Sequence, residues 1–346
     1  MGHELKKRLF AVASRWFVTF SIVILLTTLL LLATGTPPLE AYLLLIKGSL
    51  GSWNKIARVL QVWIPLTLCS CGLLYTFSMK LWNIGIEGQV MLGAVGATAM
   101  LKWLSPYFAP SLCLIAAFVF AMFLGALWAL FAGILKTKGG VNEIFAGLGL
   151  NFVAQGLILW LIFGPWKRPG IASMSGTEPF DYSLWLPTLQ SLRISPIALA
   201  ITVILFIATV IIHKYTRWGL FFRAVGNNPT AGTLFGLSPQ RYTLLAMSLA
   251  GIMAGCAGYF QVTGVYHRLI PSISSNYGYL SLLVVMLANY KWKPIPFIAF
   301  FFGCLNVGSI QLPLILKIDS SLSGVIQGIC VLAFLCAYRW RLRNKG

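Results

Sequence analysis

Apolar residues run through this chain in blocks, and short polar breaks punctuate them. A helix crosses a bilayer with about 20 apolar residues. On that measure the pattern predicts ten spans: 16–33, 59–79, 87–101, 111–135, 144–163, 196–212, 242–262, 278–290, 295–316 and 322–338. Two blocks are short. One carries Glu87 and Gln89 at its start, and 278–290 follows the polar stretch "PSISSNYGY". Short, glycine-interrupted segments are where transporters break their helices. The segment 40–58, "EAYLLLIKGSLGSWNKIAR", is amphipathic and is expected to lie along the outer membrane interface. The longest polar connections, 164–195 and 213–241, leave no room for a soluble domain.

Composition agrees with that pattern. Of 346 residues, 58% are hydrophobic and only 10% charged, far too few charges to cover a water-soluble surface. The net charge of +19 is spread between apolar runs and not gathered into a stripe with stacking aromatics. This argues against nucleic acid as a partner and for anionic lipid headgroups. With the N-terminus placed in the cytoplasm, 17 of the 26 Lys and Arg fall on the inner side. The positive-inside rule therefore puts both termini in the cytoplasm. The opening "MGHELKKRLF" has the basic start of a signal peptide, but the apolar run after it is too long, so it reads as an uncleaved first span.

Reactive chemistry is sparse. The seven cysteines (Cys69, Cys71, Cys113, Cys256, Cys304, Cys330 and Cys336) all lie in apolar segments without a CxxC pair and read as small buried hydrophobes. His3, His213 and His267 are too far apart in sequence to suggest a metal site. The sequence contains no phosphate loop, nucleophile elbow, zinc-protease pair or dinucleotide turn. An intramembrane enzyme has no residues here to work with. Gly251 with Gly255, and Gly324 with Gly328, give GxxxG spacing, and Asn306, Gln311 and Gln327 are suited to interhelical hydrogen bonds.

Three polar constellations interrupt the apolar pattern. In "LWNIGIEGQVMLGA", Asn83 is placed to cap the helix that starts near Ile86, with Glu87 in its first turn, where the helix dipole favours a carboxylate. The competing reading has Asn83 and Glu87, four apart on one face, lining an aqueous path together with Gln89. In "KTKGGVNEIFAGLGLNFVAQG", Asn142 and Glu143 open a helix, and Asn151 and Gln155 share one of its faces. Capping with interhelical bonding and path lining are both open for these four. In "RWGLFFRAVGNNPTAGTLFGLSPQRY", Asn228, Pro229 and Gly236 bound a short helix with Leu234 and Phe235 at its end. That helix either meets a partner or lies on lipid.

Taken in order, the three stretches resemble the permease subunits of ABC importers for nucleosides and simple sugars, within the broad group of ribose and branched-chain amino acid permeases. That branch shows "FNIGxEGQ", "VNEVxxxxxLN" and "RAVGxNxxAAxxxGI". Here Trp82 replaces the Phe, and Gly232 and Leu237 replace an Ala and an Ile. The resemblance covers about residues 40–340, with 16–33 as an extra N-terminal span. It implies one permease domain over 1–346, an all-α bundle of about ten transmembrane helices in two related halves, and a place in a bacterial plasma membrane. It implies as partners a cytoplasmic ATPase subunit, a second homologous permease and a substrate-binding lipoprotein. It also implies no cofactor in this chain, ATP being used by the partner. The ATPase contact would be Arg223, Gly226, Asn227, Asn228, Pro229, Thr233, Leu234, Phe235 and Gly236; the substrate path would hold Asn83, Glu87, Gln89, Asn142, Glu143, Asn151 and Gln155. Nucleosides are the expected solute. Riboflavin or a simple sugar such as ribose or galactose is the alternative, with a proton-coupled secondary transporter behind both.

Overall fold

The computed structural model describes residues 21–22, 24–29, 31–33, 35–170, 175–189, 192–316, 324–325, 328–329 and 332. Among them every regular element is helical: α1 Pro38–Leu50, α2 Trp53–Ser78, α3 Ile86–Leu104, α4 Pro110–Thr137, α5 Glu143–Phe163, α6 Pro196–Tyr215, α7 Arg217–Asn227, α8 Pro229–Leu234, α9 Pro239–Phe260, α10 Tyr277–Leu287, α11 Ile295–Ser309 and α12 Gln311–Leu316. A 3-10 turn spans Tyr182–Leu184, and α9 runs on as a π-helix over Gln261–Tyr266.

Six stretches among the described residues are long and apolar enough to cross a membrane: Trp53–Ser78, Pro110–Thr137, Glu143–Phe163, Pro196–Tyr215, Pro239–Tyr266 and Ile295–Leu316. The chain is therefore a multi-pass membrane protein. Each block predicted between 59 and 316 falls on a helix. The block at 322–338 falls largely outside the described residues, and Gln327, Cys330 and Cys336 lie outside them.

The amphipathic stretch at 40–58 is not a single element. The chain breaks at Gly51–Ser52, and Trp53 to Arg58 are the first turns of α2. Gly51 N–H and Lys55 Nζ both donate to the Lys47 carbonyl, which ends α1, and Ser52 Oγ accepts from Lys55 N–H, which starts α2. The helical residues from Ile24 to Ala33 meet α1 at 115°, so this region is a broken span or a re-entrant loop.

The fold divides into two compact units, Leu60–Ala299 and Met1–Val59 with Phe300–Gly346. In the larger unit α3, α4 and α9 pack together, with α5 against α3. The helix α3 is too polar to face lipid and does not need to: every residue from Ile86 to Ala99 is buried. Small residues replace bulky ones along its contacts, as close helix approach requires. A Cβ on Gly93 would stand 2.5 Å from the Gly255 Cα, and one on Gly125 would run into the Gly251 carbonyl. The Gly251/Gly255 pair is thus a packing seam between α9, α4 and α3. By contrast, only 22% of the apolar stretch of α4 and 17% of that of α6 is buried within the chain, leaving broad faces for lipid or a neighbouring helix. In the smaller unit α1 packs on α12, and Gly48 approaches Gly308 closely enough that a Cβ would lie 3.2 Å from its Cα.

Candidate functional site

Two interruptions in the larger unit lie against each other. The first is the turn 79–85 between α2 and α3. It is closed by Leu81 N–H donating to the Thr76 carbonyl and by Lys80 in the left-handed region at φ 56°. The second is the non-helical stretch between the π-helix and α10, where His267, Ser275 and Asn276 all have positive φ. Each interruption frees backbone N–H and C=O groups, and where these are buried they must find partners inside the protein.

The polar side chains of α3 and α5 supply those partners. Gly85 is the N-cap of α3, and no side chain of its own segment caps it. Asn151 of α5 does so from across the bundle. Its Oδ1 accepts from Gly88 N–H at 2.8 Å, and its Nδ2 donates to the Ile84 carbonyl and to the Tyr279 hydroxyl, each at 3.0 Å. The approach depends on Gly147, where a Cβ would stand 2.6 Å from Gly85 N. Asn83 does not cap α3, contrary to the sequence expectation. The turn carries its amide back over the helix, where it pairs reciprocally with the Gln89 amide at 3.3 and 3.0 Å.

Glu87 does sit in the first turn of α3, yet its carboxylate serves another helix. Oε2 accepts from Gly278 N–H, in the first turn of α10, at 2.7 Å. The group also faces Ser274 and the backbone of Asn276 and Tyr279. Asn276, the N-cap of α10, contributes no side-chain cap, so Glu87 satisfies an N-terminus that has none of its own. Glu87 is 1% exposed, and Oε1 finds no hydrogen-bond partner among the described residues. Gln155, one turn past Asn151, donates to the Pro271 carbonyl at 2.9 Å and so holds the second interruption from the same face of α5.

Asn83, Glu87, Gln89, Asn151 and Gln155 are thereby brought to the two interruptions, joined by Tyr279, which the sequence reading missed. The only signal for Tyr279 was its place in the polar run before a short apolar block. Asn142 and Glu143 stand at the start of α5, where the Glu143 carboxylate also faces the backbone of Trp82 in the first interruption. Asn142 Oδ1 caps α5 by accepting from Ile144 N–H at 2.9 Å, and Glu143 pairs with Lys136 at 2.5 Å.

On the far side of the second interruption the connection 175–189 folds back over it. Thr177 N–H donates to the Leu269 carbonyl, Phe180 N–H to that of His267, and Leu186 N–H to that of Thr263. Trp185 stacks on His267 with centroids 3.7 Å apart. Burial holds the His267 imidazole below its ordinary pKa, which favours the neutral ring.

The helices α7 and α8 form a separate polar element. Asn228 Oδ1 caps α8 by accepting from Ala231 N–H, Pro229 occupies its first turn, and Gly236 leaves it at φ 77°. The residues singled out here divide by direction. Asn227, Asn228, Pro229, Thr233, Leu234, Phe235 and Gly236 are exposed, the last apolar pair at 84% each. Arg223 instead donates to the His213 carbonyl at 2.5 Å. Gly226 is buried against the end of α2, where a Cβ would overlap the Ser78 carbonyl. Phe222 meets Tyr75 edge-on at 6.1 Å, and Ser78 Oγ lies 2.7 Å from His213 Nε2. The exposed tip therefore sits on a base fixed to α2, directly before the turn that leads into α3.

Comparison with known proteins places this arrangement. The chain is 28% identical to the glucose ABC transporter permease protein TsgB13 of Haloferax volcanii, over 91% of this chain and 85% of that one. It is 27% identical to the nucleoside ABC transporter permease protein NupB of Lactococcus lactis, over 82% and 80%. It is 26% identical to the guanosine ABC transporter permease protein NupP of Bacillus subtilis, over 92% and 93%. Residues 55–335 match the family described as branched-chain amino acid transport system / permease component, and the chain belongs to that family, as a permease of the ABC importer type.

Proposed function

We propose that this permease forms the translocation path for a nucleoside. The observation that carries the reading is the polar cluster of Asn83, Glu87, Gln89, Asn151 and Tyr279 at the starts of α3 and α10. Helix N-termini aimed at a buried polar cluster are one way in which transporters build polar sites within the membrane. Asn142 and Glu143 guard the start of α5 at the cytoplasmic end of the same path. The nucleoside and guanosine permeases among the relatives support that solute class, and the glucose permease supports the simple-sugar alternative. Riboflavin is the third candidate.

The exposed tip of α8 is the contact for a cytoplasmic ATPase subunit. Leu234 and Phe235 dock on it, with Asn227, Asn228, Pro229, Thr233 and Gly236 around them, while Arg223 and Gly226 transmit its movement to α2. ATP is used by that subunit, and this chain holds no cofactor. The complete assembly adds a second homologous permease and a substrate-binding lipoprotein in a bacterial plasma membrane. In it residues 1–346 act as one domain of about ten spans in two related halves, with both termini in the cytoplasm and the 175–189 connection outside.

The test is ATP-driven uptake by the assembled transporter in sealed vesicles, offered labelled guanosine, glucose and riboflavin separately. Guanosine is expected to accumulate only with ATP on the ATPase side. Accumulation of glucose or riboflavin instead reassigns the solute. Accumulation driven by a proton gradient without the ATPase subunit overturns the coupling.

A further inference from the structure

We propose that the end of α6 and the turn between α10 and α11 form a binding site for the headgroup of an anionic phospholipid, held by Lys214, Tyr215 and Lys293. The inference does not depend on which solute is carried. The helix α6 has 20 residues, Pro196–Tyr215, about the length that crosses a bilayer, so its last turn reaches the membrane surface. Lys214 and Tyr215 end it, and both are exposed. Lys214 Nζ donates to the Tyr215 hydroxyl at 2.9 Å and lies 4.6 Å from its ring centroid. The Tyr215 O–H is left to donate elsewhere. Lys293, on the turn between α10 and α11, lies within electrostatic reach of the same hydroxyl. That turn is fixed in place. Asn289 and Tyr290 have φ of 56° and 57°, and Tyr290 N–H donates to the Val285 carbonyl and Lys291 N–H to that of Ala288. Trp292 meets Phe206 of α6 with ring centroids 6.5 Å apart, and Lys293 Nζ stands 5.7 Å from the Trp292 ring.

The helix dipole accounts for one cation at the end of α6. It does not account for the second ammonium group, which is brought in against the repulsion of the first. Arg217 and Lys291 follow and precede the pair in sequence, and both are exposed. Among the described residues the only ion pair is Lys136 with Glu143, so no carboxylate answers any of these four cations. An anion seated between Lys214 and Lys293, accepting from the Tyr215 hydroxyl, relieves the repulsion and gains charge-assisted hydrogen bonds. The surroundings make that anion a lipid. Tyrosine and tryptophan settle at the headgroup level of a membrane, and lysine stems reach that level by snorkelling. Ile204, Ile207 and Ile211 lead to Tyr215 at spacings of three and four residues along one face of α6, and all three are exposed. A ligand with an anionic head at Tyr215 and an aliphatic tail along the isoleucines uses the whole face, whereas a soluble anion leaves the stripe uncovered. A zwitterionic headgroup brings a cation of its own and gains less.

The experiment uses the assembled transporter in phosphatidylcholine vesicles that carry a trace of phosphatidylglycerol with a photoreactive headgroup. After illumination the label is expected on the peptides that hold Lys214–Arg217 and Lys291–Lys293. Unlabelled phosphatidylglycerol should displace it, and neither an equal amount of added phosphatidylcholine nor inorganic phosphate should. Lys214→Gln with Lys293→Gln is expected to lower the labelling about tenfold or more. Lys214→Arg with Lys293→Arg should keep it, because a guanidinium also binds phosphate. Displacement by phosphatidylcholine overturns the proposal in favour of a general lipid contact, and displacement by inorganic phosphate overturns it in favour of a free-anion site. Label that appears only after the ATPase subunit is stripped away assigns the cluster to a protein interface and also overturns it. So does labelling that is unchanged in the glutamine pair or spread evenly along the chain. The displacement series on wild-type protein needs no variant, so a glutamine pair that fails to fold leaves the test intact. None of these readouts requires uptake, so the outcome is separate from that of the functional reading above.

Discussion

The carboxylate of Glu87 accepts a hydrogen bond from the N–H of Gly278, 191 residues further along the chain, at 2.7 Å. One acidic side chain thereby sits at two helix starts, in the first turn of α3 by sequence and on the first turn of α10 by contact. The positive end of each helix dipole favours it. A carboxylate at such a junction draws charge-assisted strength that a neutral group lacks.

Replacing Glu87 separates geometry from charge. Glu87→Gln keeps an oxygen for Gly278 N–H and loses the charge, so the expected cost is about 1–2 kcal/mol. Glu87→Leu leaves that N–H buried without an acceptor, and the expected cost is about 2–4 kcal/mol. Thermal unfolding of the purified complex in detergent should rank the two in that order, and uptake by Glu87→Gln at equal protein level should fall strongly. Equal unfolding temperatures for wild type and Glu87→Leu would remove Glu87 from the junction.

Asn151 makes three hydrogen bonds, to Gly88 N–H, the Ile84 carbonyl and the Tyr279 hydroxyl. Asn151→Leu abandons a helix N-terminus and a turn carbonyl together, an expected loss of about 2–4 kcal/mol. Tyr279→Phe removes one bond and leaves the other two, an expected loss of about 1 kcal/mol. Denaturant titration of the two variants side by side checks the order. A Tyr279→Phe loss as large as that of Asn151→Leu would place the energy in the tyrosine.

Six of the ten predicted spans were legible in the sequence because lipid dictates composition over a fixed length. The face shared by Asn151 and Gln155 was legible because helix spacing dictates it. The caps at Asn142 and Asn228 were legible for the same local reason. What was hidden depends on contacts across the chain. Asn83 has the residue type of a cap and stands three residues before Ile86, but the turn takes its amide to Gln89 instead. Nothing local to Glu87 indicates Gly278, and nothing local to Gly88 indicates that Asn151 caps it. Arg223 reads as an exposed contact, yet it is spent on the His213 carbonyl.

The α7–α8 element gives two kinds of variant with opposite signatures. Gly226→Val forces a branched side chain into the Ser78 carbonyl and is expected to destabilise the protein by roughly 2–4 kcal/mol through overpacking. Leu234→Ser with Phe235→Ser changes two side chains that are each 84% exposed, so stability should stay within about 0.5 kcal/mol. Co-purification of the ATPase subunit should be lost with the serine pair and retained, in whatever protein remains folded, with Gly226→Val. Retention by the serine pair would mean that those side chains rest on lipid.

The reciprocal amide pair of Asn83 and Gln89 invites a double-mutant cycle. Each amide is 1% exposed, and each donates to the other. Removing either alone leaves its partner's donor and acceptor buried without water, an expected loss of about 1–3 kcal/mol. Removing both takes away the orphaned groups along with the bonds. Asn83→Ala with Gln89→Leu should therefore cost less than the two single losses combined, by a coupling energy of about 1–2 kcal/mol. Losses that simply add would mean that each amide spends its bonding on something else. A coupling of the expected size with uptake preserved in the double variant would make the pair a staple of the turn. The same coupling with uptake abolished, while the protein remains folded, would make it part of the path, since an apolar patch can hold the turn closed but cannot carry a hydrated solute past it.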